Sequence, residues 1–131
     1  MTELQLRILI VDDLEAMRSL VKLFLRRHPF VEVVAEASDG EQAVALCKEY
    51  IPDVVLCDIS LPGDNGVDVG RKIKELFPTI RVYLYSAFEL NEYRELQIHS
   101  PIDGFIQKSA LKDELAAMIM REIEQKKQVN S

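Results

Sequence analysis

A chain of 131 residues has the length of one domain and is too short for two of ordinary size. Apolar residues at 48 % and charged residues at 29 % suit a folded globular protein and exclude a disordered or collagen-like chain. The net charge of -6, with no cluster of Lys and Arg interleaved with aromatics, argues against direct nucleic-acid binding and for proteins or cations as partners.

Along the chain, short apolar runs alternate with stretches of helical period. Residues 8–11 read as a strand, followed by Met17, Leu20, Val21, Phe24 and Leu25 at three-and-four spacing, an amphipathic helix. The pattern repeats as strand 31–35 and helix 40–50, strand 54–57 and helix 67–77, and strand 80–85 and a polar helix 89–98. A fifth strand, 105–107, leads into a helix over 111–127. Strands three and four are continuous apolar runs, as central strands of a parallel sheet covered on both faces should be. Five βα units predict a doubly wound α/β domain. Turn signals at His28-Pro29, Asp39-Gly40, Pro52-Asp53, Pro62 to Gly66, Pro78-Thr79 and Pro101 to Gly104 support these divisions. The whole of 1–131 is expected to be one unit with its core at about 7–127, fraying from Glu124 and ending in a tail, 128–131.

Cys47 and Cys57 lie on segments that look buried, with neither metal-ligand spacing nor disulfide density, and read as reduced core thiols. His28 reads as a helix-end residue and His99 as a loop residue, neither with a role. No apolar run approaches bilayer length, and Met1-Thr2-Glu3-Leu4 lacks a secretion pattern, so the expected location is the cytoplasm, without membrane contact.

In an open parallel sheet, ligand sites lie outside the carboxyl ends of the strands. The first polar residues there are Asp12-Asp13, Asp58, Ser86 and Lys108. Three carboxylates at one edge would repel one another unless a cation sat among them, and hard oxygen ligands suit Mg2+. One of them can attack a phosphoryl group while the metal and a Lys neutralise its oxygens and a hydroxyl adds a hydrogen bond. Singly, each residue has an ordinary reading: Asp12-Asp13 as a helix N-cap, Asp58 as a loop start, Ser86 as a turn hydroxyl, Lys108 as a solvated charge. What sets them apart is that they fall at the ends of separate strands.

The segments Ile8-Leu9-Ile10-Val11-Asp12-Asp13, Asp58-Ile59-Ser60-Leu61-Pro62 followed by Gly66, Ser86-Ala87, and Gly104-Phe105-Ile106-Gln107-Lys108 resemble those of response regulator receiver domains, from Arg7 to about Lys127. The resemblance implies a flavodoxin-like, CheY-like fold with strand order 2-1-3-4-5 and five helices. It implies that Asp58 accepts a phosphoryl group from a histidine kinase or phosphotransfer protein, or from a small phosphodonor. Mg2+ would be held by Asp13, Asp58 and the Ser60 backbone carbonyl, with Asp12 acting through water. Lys108 and Ser86 would move toward the phosphoryl group, and Phe105 would bury as Ser86 shifts, although Phe105 reads equally as a plain core aromatic. Such a domain is a signalling phosphoacceptor that catalyses only its own phosphorylation and dephosphorylation. It controls a downstream partner or attached domain, and homodimerisation stays open.

Three departures from the family pattern carry expectations. Ser109 follows Lys108 where many receivers have Pro after a cis bond; the cis form is expected here as well, despite a cost of about 3 kcal/mol. Phe88, two residues beyond Ser86, predicts slow loss of phosphate by hindering the attacking water. The segment His99 to Asp103 replaces a small-residue turn and predicts an altered output surface. Two other functions compete: a phosphorylation-independent interaction module, and a haloacid-dehalogenase-like phosphatase, disfavoured because Ser60 stands where that family has a second Asp. The Lys-Ser-Ala-Leu run resembles receivers joined to a helix-turn-helix domain, so the chain is also readable as the N-terminal part of a longer DNA-binding regulator.

Overall fold

The structure, a computed structural model, describes residues 4–87 and 101–130. Strands β1 (Leu6–Val11), β2 (Val31–Ala37), β3 (Val54–Asp58), β4 (Arg81–Ser86) and β5 (Gly104–Gln107) form one parallel sheet. Its order is β2-β1-β3-β4-β5, as the resemblance implies. Four helices are present among the described residues: α1 (Glu15–Leu25), α2 (Gly40–Tyr50), α3 (Gly66–Leu76) and α4 (Leu111–Asn130). The helix expected over 89–98, together with Phe88 and His99, lies outside the described residues.

Every residue of β3 is buried, because β1 and β4 flank it and helices cover both faces. Residues alternate between two cores. Leu9, Val11, Val55, Cys57, Val82 and Leu84 pack with Ala43, Cys47, Val69 and Ile73 of α2 and α3. Ile8, Ile10, Val54, Leu56, Tyr83 and Tyr85 pack with Val21 and Leu25 of α1 and with Leu115, Met118 and Ile119 of α4. Each Val, Leu, Ile or Met side chain among them contributes about 1.5–3 kcal/mol by leaving water. Of the predicted α1 stripe, Val21 and Leu25 are buried and Met17 and Phe24 are packed against them, but Leu20 is 40 % exposed. Both cysteines are free and buried, and burial pushes the Cys47 thiol up to about 12 and the Cys57 thiol higher still.

Helix α2 is capped by Asp39, whose carboxylate accepts from the Gln42 N–H at 2.8 Å, and α3 by Asn65, which accepts from the Val67 N–H at 2.8 Å. Helix α4 runs three residues beyond its expected end. Lys126 ties that end down, its ammonium bonding the Asp53 carboxylate at 2.8 Å and the Gln5 carbonyl. The helix thus continues through the segment expected to fray, with Lys127, Gln128 and Val129 exposed beyond that tie.

Candidate functional site

Parallel pairing brings the strand ends together. Val11 lies beside Cys57, Asp58 beside Tyr85, and Ser86 beside Gln107. Asp12, Asp58, Ser86 and Lys108 thus converge at one edge from four strands. Asp58 and Ser86 close their strands rather than following them, while Lys108 opens a 3-10 turn, Lys108–Ala110.

One carboxylate oxygen from each of Asp12, Asp13 and Asp58 lies within 4.8 Å of the others. Asp12 and Asp58 are buried, at 0 % and 4 % exposure, whereas Asp13 is exposed. Asp12 does not cap α1, whose N-cap is Leu14 with no side-chain bond. Instead its Oδ1 accepts from the Leu14 N–H at 2.9 Å and its carbonyl from Arg18 at 2.6 Å. Asp58 accepts at Oδ1 from the Ser60 N–H and at Oδ2 from the Lys108 ammonium, each at 3.0 Å. Burial pushes the Asp58 carboxyl above the ordinary Asp value and Asp12 adds to this. The Ser60 N–H and Lys108 pull the other way without fully offsetting it.

Gly66 shapes this edge. Its N–H donates to the Ile59 carbonyl at 2.7 Å, folding the loop back onto β3. A Cβ there would stand 2.1 Å from the Asp58 carbonyl oxygen and 2.7 Å from the Ile59 Cα, so any other residue forces this backbone to shift. The intervening residues form a small antiparallel ribbon, Ser60–Leu61 with Asp64–Asn65, closed through Gly63 at φ 71°.

The expected cis bond after Lys108 is not found: the Lys108-Ser109 peptide is trans, as are all described peptide bonds. Without proline at 109 nothing reduces the trans preference, and the 3-10 turn delivers the ammonium to Asp58 with that bond trans. Ser86 is buried. Phe105 is half-buried and packs on the α2 and α3 side, against the core that holds Leu84, its neighbour across the sheet.

Sequence reasoning missed Tyr85. Its hydroxyl donates to Asp12 Oδ2 at 2.5 Å, and the Lys108 ammonium sits 5.1 Å from its ring centroid. Burial, then the bond to Asp12, push its hydroxyl far above the ordinary tyrosine value, so it remains a donor. The available signal was a tyrosine inside an otherwise apolar run, since a buried phenol requires a partner.

A hollow of about 560 Å³ lies at the opposite edge, lined by Asp53, Lys74, Arg81, Glu122 and Lys126 among others. Its cations are already paired: Lys74 with Asp103, Arg81 with Asp103 and Glu122, Lys126 with Asp53. That edge is stitched together and carries no convergence of reactive groups.

Among the described residues no helix is long and apolar enough to cross a membrane. A regulatory protein, DegU of Brevibacillus brevis, is 35 % identical over 113 residues, covering 86 % of this chain and 48 % of that protein. The oxygen regulatory protein NreC of Staphylococcus aureus is 33 % identical over 115 residues, 87 % of this chain and 53 % of that one. The chain thus spans about half the length of the curated relatives it matches. Among solved structures, a LuxR-family response regulator from Aurantimonas sp. SI85-9A1 superposes with TM-score 0.85 at 28 % identity, covering 92 % of this chain and 86 % of that one. The receiver domain of the putative regulator NarL from Mycobacterium tuberculosis gives 0.83 at 28 % identity, covering 93 % and 98 %. Residues 8–120 match the response regulator receiver domain family, and the chain belongs to it.

Proposed function

We propose that Asp58 is the phosphoacceptor of this receiver domain and that Asp13, Asp58 and the Ser60 carbonyl hold Mg2+, with Asp12 acting through water. The observation that carries this reading is the pairing of a buried Asp58 with Lys108 at 3.0 Å, beside two further carboxylates. The donors fit a hard divalent cation. They are all oxygen, Asp13 is exposed and has no hydrogen-bond or ion-pair partner among the described residues, and the burial penalty on Asp58 is one that a cation would relieve.

In the reaction an Asp58 carboxylate oxygen attacks phosphorus. The bond from phosphorus to the donor, the imidazole nitrogen of a phosphohistidine or the oxygen of a small phosphodonor, breaks, and the donor leaves with the electron pair and takes up a proton. Lys108 neutralises charge on the phosphoryl oxygens and Ser86 donates a hydrogen bond to one of them. Mg2+ held by Asp13, Asp58 and the Ser60 carbonyl would supply further neutralisation of that charge. Phe105, half-buried before the event, turns inward as Ser86 shifts. The only catalysis is the domain's own phosphorylation and dephosphorylation.

The donor is a histidine kinase or phosphotransfer protein in the cytoplasm. The output is a partner protein or an attached domain; the similarity to half of DegU and NreC supports a single receiver unit at the N-terminal end of a longer DNA-binding regulator. The test is incubation with Mg2+ and acetyl phosphate, read by intact mass, for the parent and Asp58→Asn. The parent gains one phosphoryl group and the variant none. An inert parent would point to a phosphorylation-independent interaction module, and an unchanged variant would exclude Asp58.

A further inference from the structure

We propose that Tyr85 is a specificity-determining residue that keeps the acidic pocket selective for Mg2+ over Ca2+ by holding Asp12 out of direct ligation. The inference rests on reading Asp12, Asp13 and Asp58 as a divalent-cation site.

Tyr85 is 1 % exposed, the last residue before Ser86 on β4, and lies beside Asp58 in the sheet. Its hydroxyl takes Asp12 Oδ2 at 2.5 Å while the Leu14 N–H takes Oδ1 at 2.9 Å. Arg18 fixes the carbonyl of the same residue at 2.6 Å. Asp12 is therefore held at three points, its Oδ1 by a backbone N–H and its Oδ2 by a fully buried phenol. Asp13 has no such restraint among the described residues, and each Asp58 oxygen takes one donor, one of them a flexible lysine.

The two cations differ in what they ask of such a pocket. Ca2+ gathers about six to eight oxygens and welcomes additional and bidentate carboxylates, whereas Mg2+ keeps several waters and uses one or two carboxylates. An Asp12 pinned by Tyr85 contributes negative charge and accepts from a metal-bound water, but adds no ligand. That arrangement suits Mg2+. With the hydroxyl removed, Oδ2 is free to enter the coordination shell, which favours Ca2+. The phenyl ring of Tyr85→Phe preserves both the packing and the ring face beneath Lys108, so the variant isolates the hydrogen bond.

The experiment is calorimetric titration of the folded chain with MgCl2 and, separately, CaCl2, for the parent and Tyr85→Phe, with thermal unfolding alongside. The ratio of the Ca2+ to the Mg2+ dissociation constant should fall by about tenfold, the lower end of what loss of an outer-shell bond costs a metal site. Both affinities weakening together at constant ratio would mark Tyr85 as merely structural and overturn the proposal, as would a rising ratio. Tyr85→Leu, which suits a buried strand position, reads the same ratio should the phenylalanine variant not fold. A parent that binds neither ion removes the cation site itself and this proposal with it. A parent that binds Mg2+ with a ratio insensitive to both variants removes only the role of Tyr85.

Discussion

Replacing Gly66 by Ala tests how the acceptor is positioned. The added Cβ would sit 2.1 Å from the Asp58 carbonyl oxygen, about 1.3 Å inside the 3.4 Å at which ordinary contact begins, and 2.8 Å from the Asp58 carbonyl carbon. These are backbone atoms, so no side chain can swing aside, and the loop or the end of β3 must move by about 1 Å. Overpacking of this kind costs about 3 kcal/mol. At about 2.1 cal/mol/K per residue, unfolding of 131 residues carries about 0.28 kcal/mol/K, so Tm should fall by about 10 °C. The same displacement pulls Asp58 from its alignment with Lys108, and a 1 Å error in a reacting group costs about 100-fold in rate. Gly63→Ala is the control. At φ 71° with nothing within 4 Å, it carries only the left-handed penalty of about 1 kcal/mol, a Tm loss of about 4 °C, with labelling by acetyl phosphate at the parental rate. Thermal unfolding and timed intact-mass labelling measure both effects. A Gly66→Ala protein that melts within about 2 °C of the parent and labels at the same rate would refute the reasoning.

Two further predictions concern charges that the fold has brought together. Lys108→Met should slow phosphoryl uptake by about 100-fold while tightening Mg2+ binding, because the ammonium 3.0 Å from Asp58 no longer competes for that carboxylate; single-turnover labelling and calorimetry measure the two, and an unchanged rate would exclude Lys108 from the chemistry. Tyr83→Phe removes a 2.5 Å hydrogen bond to the buried Glu122 and should cost about 1–3 kcal/mol in urea unfolding. Burial, then the bond to Glu122, hold the Tyr83 hydroxyl up to about 12, above the ordinary value of about 10. Because the folded value is the higher one, this contribution is complete below about pH 10 and is lost as pH rises toward 12, at up to about 1.4 kcal/mol per pH unit. The variant should show a correspondingly flatter alkaline decline, and identical slopes would count against the pairing.

The strands and helices were legible because their apolar periods differ, and the site because a doubly wound sheet brings strand ends to one edge. Asp12, Asp13, Asp58 and Lys108 could therefore be gathered from strand boundaries alone. What stayed hidden depended on pairs distant in sequence. The Tyr85 bond to Asp12 spans 73 positions, and Glu122, which reads as one more solvated charge on a polar helix, is buried by Arg81 and Tyr83 of β4. The tie near the end of α4 depends likewise on Lys126 finding Asp53. The trans bond after Lys108 has a different cause. The intrinsic preference of a non-proline peptide outweighs the family pattern, and the local 3-10 turn satisfies the geometry without a cis bond.

Strand β4 also divides the pocket's two tasks between the faces of the sheet. Val82 and Leu84 face α2 and α3, and strand alternation sends Ser86 to the same side, where Phe105 packs next to Leu84. The residues proposed to move thus share the face that α2 and α3 cover. Tyr83 and Tyr85 face α1 and α4, where 2.5 Å bonds to Glu122 and Asp12 and the Arg121 and Lys108 cations over their rings fix the strand. Directional bonds resist rotation more than apolar contacts do. If Asp58 takes a phosphoryl group as proposed, that charge arrives beside a strand whose α1 and α4 face is anchored by directional bonds, so a rearrangement on the Ser86 and Phe105 face leaves those bonds in place.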